Sequence, residues 1–211
     1  MWPLIEKGGF PVNQDLLNLL KQRRSIYALG KDVKQKDDDI IEQVESVIQA
    51  TPTAFNSQTT RAVFLFGGQH DKLWDIVVKR LKSEVPTEEA YEATKKKVAG
   101  FKAAYATIMY FTDTDIVKQL EHDFPLYADN FATWAEQAQG SAQLNTWVAL
   151  ANNGIGANLQ HYNPIIDELV SDAFDIPQNW QLRAQMPFGS IEAPAQDKDY
   201  MDRTSQFKVF M

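Results

Sequence analysis

Apolar positions in the first quarter of the chain recur with helical spacing twice. Over residues 13–23, Leu16, Leu17, Leu19 and Leu20 form one apolar face behind Asn13, a side chain suited to capping a helix. Over residues 37–50, Ile40, Ile41, Val44, Val47 and Ile48 repeat that spacing. Asp37, Asp38 and Asp39 put negative charge at the start of this second helix, where its dipole favours it, and Thr51-Pro52 ends it. Residues 30–36 between the two read as a polar linker. After a loop of short polar side chains at 53–60, the RAVFLF run at 61–66 has the composition of a strand, with Gly67-Gly68 as its turn. Leu73, Trp74, Val77 and Leu81 restore the helical period. Thr87-Glu88-Glu89 then opens a surface helix that closes after Lys95-Lys96-Lys97, near Gly100; the lysines suit a solvated last turn.

Further on, AAYATIMYF at 103–111 predicts a buried strand, and Asp113 or Thr114 caps a short helix reaching His122. The longest helical pattern, residues 128–153, carries Trp134, Leu144, Trp147, Val148 and Leu150. Its second half, 142–151, is apolar or small nearly all round, which predicts burial on several sides. Gly154-Ile155-Gly156 breaks it, 157–162 is extended, and Pro164 suits the first position of a helix reaching Ala173. Residues 181–188 read as a strand with Arg183 pointing out, and Phe207-Lys208-Val209-Phe210 as a terminal apolar strand. No internal repeat and no low-complexity linker interrupts the chain. The pattern is that of one α+β domain over residues 1–211, a few strands embedded among many helices.

At 211 residues and 44% hydrophobic, the chain can bury one sizeable core. A net charge of −7 argues against nucleic acid and against anionic membrane surfaces, though not against one small anion in a local basic pocket. The absence of cysteine removes disulfides, thiolate nucleophiles and cysteine-held metal clusters. No apolar run approaches the ~20 residues of a spanning helix, and residues 1–7 lack the plan of a signal peptide. These features point to the cytoplasm, without membrane insertion.

Candidate chemistry is sparse. Gly154-Ile155-Gly156-Ala157-Asn158-Leu159 begins like a dinucleotide fingerprint, but it lacks the third glycine and follows a helix instead of a strand. The histidines, His70, His122 and His161, are scattered, no metal-ligand spacing is present, and His122-Asp123 reads as an exposed helix end. What stands out is Arg23-Arg24-Ser25-Ile26-Tyr27 at a helix C-terminus. Two guanidiniums and a hydroxyl there suit phosphate or a planar acceptor edge; they equally suit solvated cations complementing the dipole.

Taken with Thr51-Pro52-Thr53-Ala54-Phe55-Asn56-Ser57-Gln58, Tyr127-Ala128-Asp129-Asn130-Phe131, the segment from Gly154 to Pro164, and Phe188-Gly189-Ser190-Ile191-Glu192-Ala193-Pro194, that stretch resembles the FMN-dependent nitroreductase family. The likeness is to the compact branch containing a copper-induced bacterial enzyme and yeast nitroreductase-like proteins. It covers nearly the whole chain from Leu16 and rests on the order and spacing of the five segments. Residues 1–11 match nothing in it and read as an N-terminal extension.

The resemblance implies a central, mainly antiparallel sheet surrounded by helices, with a long buried helix at the core of a homodimer. It implies FMN sites shared between subunits, a reduced nicotinamide (NAD(P)H) as donor and a small nitroaromatic or quinone-type acceptor, in a ping-pong hydride mechanism with no catalytic side chain. It assigns Arg23, Arg24 and Ser25, with neighbouring Tyr27, to the phosphate and the pyrimidine edge. Fixed cations at that edge stabilise the negative charge of the reduced flavin. Pro52, Thr53 and Asn56 would come from the other subunit, and Gln137 would reach the ring. Leu159, Gln160 and His161 would lie at flavin N5, and Lys198 or Arg203, from a tail (196–211) packed on the partner, would meet the phosphate. The glutamate–glycine pair of the larger enzymes is replaced by His161 and Tyr162, so their substrate preferences do not carry over. Two rivals share this sequence pattern: a flavin-binding stress or regulatory protein with slow incidental turnover, and a structural dimer without flavin.

Overall fold

The computed structural model describes residues 13–211, so the N-terminal extension at 1–11 lies outside the described residues. In chain order the elements are α1 (Asp15–Gln22), β1 (Leu29–Gly30), α2 (Asp37–Ala50), β2 (Thr60–Phe66), α3 (Gly67–Leu81), α4 (Glu88–Lys102), β3 (Ala106–Asp113), α5 (Thr114–Asp123), α6 (Ala128–Asn152), β4 (Gly156–Ala157), α7 (Asp167–Phe174), β5 (Trp180–Ile191) and α8 (Arg203–Gln206). The strands form one antiparallel sheet in the order β1-β5-β3-β2, with β4 paired to the end of β5. This is the mixed α+β architecture with a central antiparallel sheet that the sequence predicts.

All eight positions of β3 are buried, because both faces of the sheet are covered. Met109 and Phe111 pack on one side with Leu73, Trp74 and Val77 of α3, Val98 and Phe101 of α4 and Val170 of α7. Ile108 and Tyr110 point the other way, onto Ile40 and Val44 of α2 and Leu150 of α6. The alternation of period two thus divides one apolar run between two cores. A large side chain removed completely from water, as Trp74 is, contributes about 2–3 kcal/mol to such a core. Near its end β5 is pressed against its neighbours: a Cβ at Gly189 would lie 2.2 Å from the Gly30 carbonyl oxygen. Any side chain there would push β1 off the sheet.

Several elements differ from the sequence reading. The linker at 30–36 begins inside β1, a two-residue strand that exists only by pairing with Ser190 and Ile191. Gly67-Gly68 is the first turn of α3, not a turn between elements; Gly67 takes φ +51°, which favours glycine. The helix opened by Thr87 runs on to Lys102 and buries Val98 and Phe101. Pro164 sits in a turn after a cis peptide bond, and α7 starts three residues later. Phe207, Val209 and Phe210 form no strand and stand exposed. α1 buries none of its leucines, Leu16 being 66% exposed. The second half of α6 buries Ala142, Gln143, Thr146 and Leu150 but leaves Leu144 outside, so within one chain it is covered on one side only.

Candidate functional site

α1 ends at Arg23, whose φ/ψ of −67°/115° is extended and turns the chain toward the sheet. Ser25 then bridges in parallel to Ala157, and the Ile26 N–H donates to the Ala157 carbonyl at 2.9 Å. The buried Asn158 side chain donates to the Ile26 carbonyl at 2.8 Å and accepts from Gln160 Nε2 at 2.8 Å. Gln160 exchanges two backbone hydrogen bonds with Gln185 of β5, at 2.8 and 2.9 Å. Two segments 130 residues apart in sequence are therefore sewn together and onto the sheet. Because Asn158 and Gln160 turn their N–H groups to β5, those of Leu159 and His161 point away from it, and among the described residues neither makes a backbone hydrogen bond.

Beside this seam lies a cleft of about 790 Å³, within the ~300–1,000 Å³ range of cofactor-sized sites. Arg23, Arg24, Ser25 and Tyr27 form one wall, and the chain from Ala193 to Asp199, including Lys198, forms the other. Arg24 Nη2 donates to the Gln196 carbonyl and so pins that second wall. Lys198 sits over the Tyr200 ring, with Nζ 5.0 Å from its centroid. The Arg23 guanidinium carbon lies 4.4 Å above the centroid of Trp147 of α6. Its Nε is buried with no acceptor. Burial, and then the neighbouring charge of Arg24, lower the Arg23 pKa.

The other predicted residues lie elsewhere in the chain. Pro52, Thr53 and Asn56 occupy a loop anchored at Thr51, whose Oγ1 accepts from Asn145 of α6 at 2.8 Å. Phe55 and Asn56 hold positive φ, and Thr53 Oγ1 accepts from the Gln58 N–H at 3.0 Å, so the loop's shape is set locally. Phe55 packs among Phe124, Tyr127, Phe131 and Trp134. Asn145 and Trp147 are two residues apart on α6, hence roughly 200° apart around its axis. The arginine cleft and the 52–56 loop accordingly meet different sides of this helix. Gln137 is exposed on α6, roughly 15 Å along the axis from Trp147. Arg203 opens α8, is exposed, and does not line the cleft. One chain thus gathers Arg23, Arg24, Ser25, Tyr27 and Lys198, sets Leu159, Gln160 and His161 alongside, and keeps Pro52, Thr53, Asn56 and Gln137 apart from them.

Sequence reasoning missed Trp147 as the support of Arg23, because in the helical pattern it reads only as an apolar position. It also missed Asn158 as the buried tie to Ile26. The signal for Asn158 is a lone amide inside an otherwise apolar extended stretch, Gly154-Ile155-Gly156-Ala157-Asn158-Leu159.

Comparison with known proteins agrees with this geometry. The sequence model of the Nitroreductase family matches residues 20–190. The Saccharomyces cerevisiae protein HBN1 is 38% identical over 187 residues, 88% of this chain and 92% of that one. The nitroreductase FRM2 of the same yeast is 36% identical over 188 residues, 88% and 93% of the two chains. Nitroreductase CinD from Lactococcus lactis, solved with nicotinic acid, superposes with a TM-score of 0.87 at 49% identity, covering 93% of this chain and 100% of that one. It has also been solved with 4-nitrophenol. The chain belongs to the nitroreductase family.

Proposed function

We propose that this protein is an FMN-dependent oxidoreductase of the cytoplasm, acting as a homodimer on a reduced nicotinamide and a nitroaromatic or quinone-type acceptor. The observation that carries the reading is the arginine cleft: Arg23, Arg24, Lys198 and Ser25 around one cavity, with Asp197 and Asp199 on the tail wall and the buried Arg23 Nε without an acceptor among the described residues. This donor set fits FMN. Arg24, Ser25 and Lys198 are the residues to hold a phosphate, point charge and fork together. Arg23 is the residue to meet the polar edge of the ring. The N–H groups of Leu159 and His161, turned away from β5, are the backbone donors to lie beside the ring nitrogen. FMN, when bound, would supply the electron-carrying chemistry, taking a hydride from the nicotinamide and passing electrons on to the acceptor. The chain supplies orientation, fixed charge and exclusion of water.

The separation of Pro52, Thr53, Asn56 and Gln137 from the arginine cleft supports their service in the partner's site. So do the exposed leucines Leu16, Leu17 and Leu144 on α1 and α6, an apolar surface that a second copy would cover. The tail from Gln196 on, exposed to its end, is assigned to the same interface. The ligands of CinD add chemical support: nicotinic acid carries the pyridine ring of a nicotinamide, and 4-nitrophenol is a nitroaromatic.

The purified protein should be yellow, release one FMN per chain on heating, and oxidise reduced nicotinamide faster when 4-nitrophenol or a quinone is added. A colourless protein that takes up no FMN sinks the proposal. Bound flavin with no acceptor-dependent turnover would move it to a regulatory role. Sharing is tested by co-folding Arg24→Ala with Asn56→Ala chains, each deficient alone. In a two-fold dimer with random pairing, about a quarter of the sites should regain flavin, whereas sites built within one chain would regain none.

A further inference from the structure

Arg23 differs from most other arginines of the chain. Arg61, Arg80 and Arg183 each reach a carboxylate, Asp113, Glu84 and Glu136. Arg24 reaches the Gln196 carbonyl. Among the described residues nothing accepts a hydrogen bond from the Arg23 guanidinium; its only contact of specific geometry is the Trp147 indole. α6 holds that indole in place against the core formed by Ile40, Val44 and Leu150. Gln22, the residue before Arg23, is tied to the same helix by Nε2 donating to the Ala151 carbonyl at 2.9 Å.

A guanidinium has two chemically distinct surfaces. Its face is attracted to an aromatic ring, while its donors all lie in the plane at the edge. A stack on the face therefore orients the group without consuming a single N–H. A carboxylate partner would fix Arg23 as firmly but would occupy two donors and cancel the charge.

We propose that Trp147 is a positioning residue that holds the Arg23 guanidinium by its face, so that its edge stays open and directed to the pyrimidine edge of the flavin. This rests on the flavin reading above and adds to it a residue that touches no cofactor. Such a placed cation favours the reduced flavin, which carries more negative charge at that edge than the oxidised form. Trp147 thereby sets the flavin potential through Arg23, at second hand.

The test uses the flavin-loaded protein and reads the two-electron midpoint potential together with FMN affinity in both redox states. In Trp147→Leu, reduced FMN should lose affinity about tenfold more than oxidised FMN, which is a midpoint about 30 mV more negative. Trp147→Phe keeps an aromatic face and should restore most of the shift. Arg23→Lys keeps the charge but has no plane to stack, and should lower the midpoint as Trp147→Leu does; the double variant should then fall no further. A folded Trp147→Leu protein with the wild-type midpoint overturns the proposal while leaving the flavin reading intact. Additive shifts in the double variant also overturn it. If Trp147→Leu does not fold, the same cycle is run with Trp147→Met, which also lacks an aromatic face but adapts to the space, against Arg23→Lys, with coupling expected and additivity fatal. A wild-type protein that binds no flavin would overturn both readings together.

Discussion

Arg61 and Arg23 both lie over a tryptophan, and the rest of their surroundings could hardly differ more. Arg61 sits 5.8 Å from the Trp180 centroid, pairs with Asp113 at 3.0 Å, and donates to the Gln58 and Thr60 carbonyls at 2.7 and 3.1 Å. Asp113 in turn accepts from Asn179 at 2.8 Å and caps α5 through the Asp115 and Ile116 N–H groups. Each side chain in that cluster finds a partner inside the chain. Arg23 sits closer to its tryptophan, and among the described residues nothing accepts a hydrogen bond from it. A saturated cation ties the structure together, and a cation left with open donors points outward to something the chain does not contain. Burial of an arginine alone does not distinguish the two; the state of its donors does.

This contrast can be broken first at the saturated end. Asp113→Ala strips Arg61 of its partner, Asn179 of its acceptor and α5 of its cap, and should cost about 3–5 kcal/mol in urea unfolding. A loss under about 1 kcal/mol would show that the cluster is not structural. At the open end, Arg24→Ala should leave stability nearly unchanged yet weaken FMN roughly tenfold or more, the worth of one charged hydrogen bond. Riboflavin, lacking the phosphate, should be weakened less in a parallel titration. Equal losses would move Arg24 to the ring edge, and no loss at all would make it a dipole cap. Arg23→Ala, which removes only a stack, should cost about 0.5–1 kcal/mol by the same unfolding assay. A cost as large as that of Asp113→Ala would erase the distinction between the two sites.

The smallest expected effect comes from an uncharged saturated cluster. The Trp74 indole donates to Thr107 Oγ1 at 3.1 Å, and His70 lies 2.8 Å from that hydroxyl and 3.1 Å from the Lys102 carbonyl. The carbonyl can only accept, so Nε2 carries a proton, and in the neutral ring Nδ1 accepts from the Thr107 hydroxyl. Burial lowers the His70 pKa from its ordinary 6.5. As pH falls the unfolded chain therefore takes up this proton first. The stability due to His70 is present above the ordinary value and lost as pH drops through it toward the folded one. Wild type should lose more stability between pH 8 and pH 5 than His70→Gln does. Parallel losses would show that the ring is not held neutral.

Local chemistry made much of the fold legible. Asp37, Asp38 and Asp39 before Ile40 and Val44 marked α2, Asp113 or Thr114 marked the start of α5, and the apolar run at 103–111 marked the buried strand β3, which begins three residues later. What escaped depends on pairing across long sequence distances. β1 is two residues long and owes its existence to Ile191 and Ser190, some 160 positions away. Gly67-Gly68 has the composition of a turn, and only packing of Trp74 and Leu73 draws it into α3. The tail at 207–210 has a strand's composition but pairs with no strand among the described residues. In the candidate site, the arginine–arginine–serine stretch was legible as chemistry and Lys198 only through the family resemblance, with Arg203 as its alternative; the structure lines one cleft with that stretch and Lys198. The stack on Trp147 was not, because a tryptophan at a core-facing helical position carries no sign of which cation it will meet.

The pairing of β5 carries one more consequence, for motion. Eight of its first nine residues are matched by β3, Arg183 being left out at a shift in register, and only its last residues reach out to β4 and the two residues of β1. Opening of a folded chain proceeds in cooperative units whose free energies run from near zero to that of global unfolding. Ser25 in the cleft wall and Ile26 beside it are held to Ala157 and Asn158 by one bridge and the two Ile26 hydrogen bonds, far fewer ties than join β3 to β5, so this segment can detach and reclose while β3 and β5 remain paired. Amide protons of β3 and central β5 should then exchange with solvent only on global unfolding, and the Ile26 amide far sooner. A ligand gripping Arg23, Arg24 and Ser25 would close that gap, slowing exchange at Ile26 and leaving the centre of the sheet as it was.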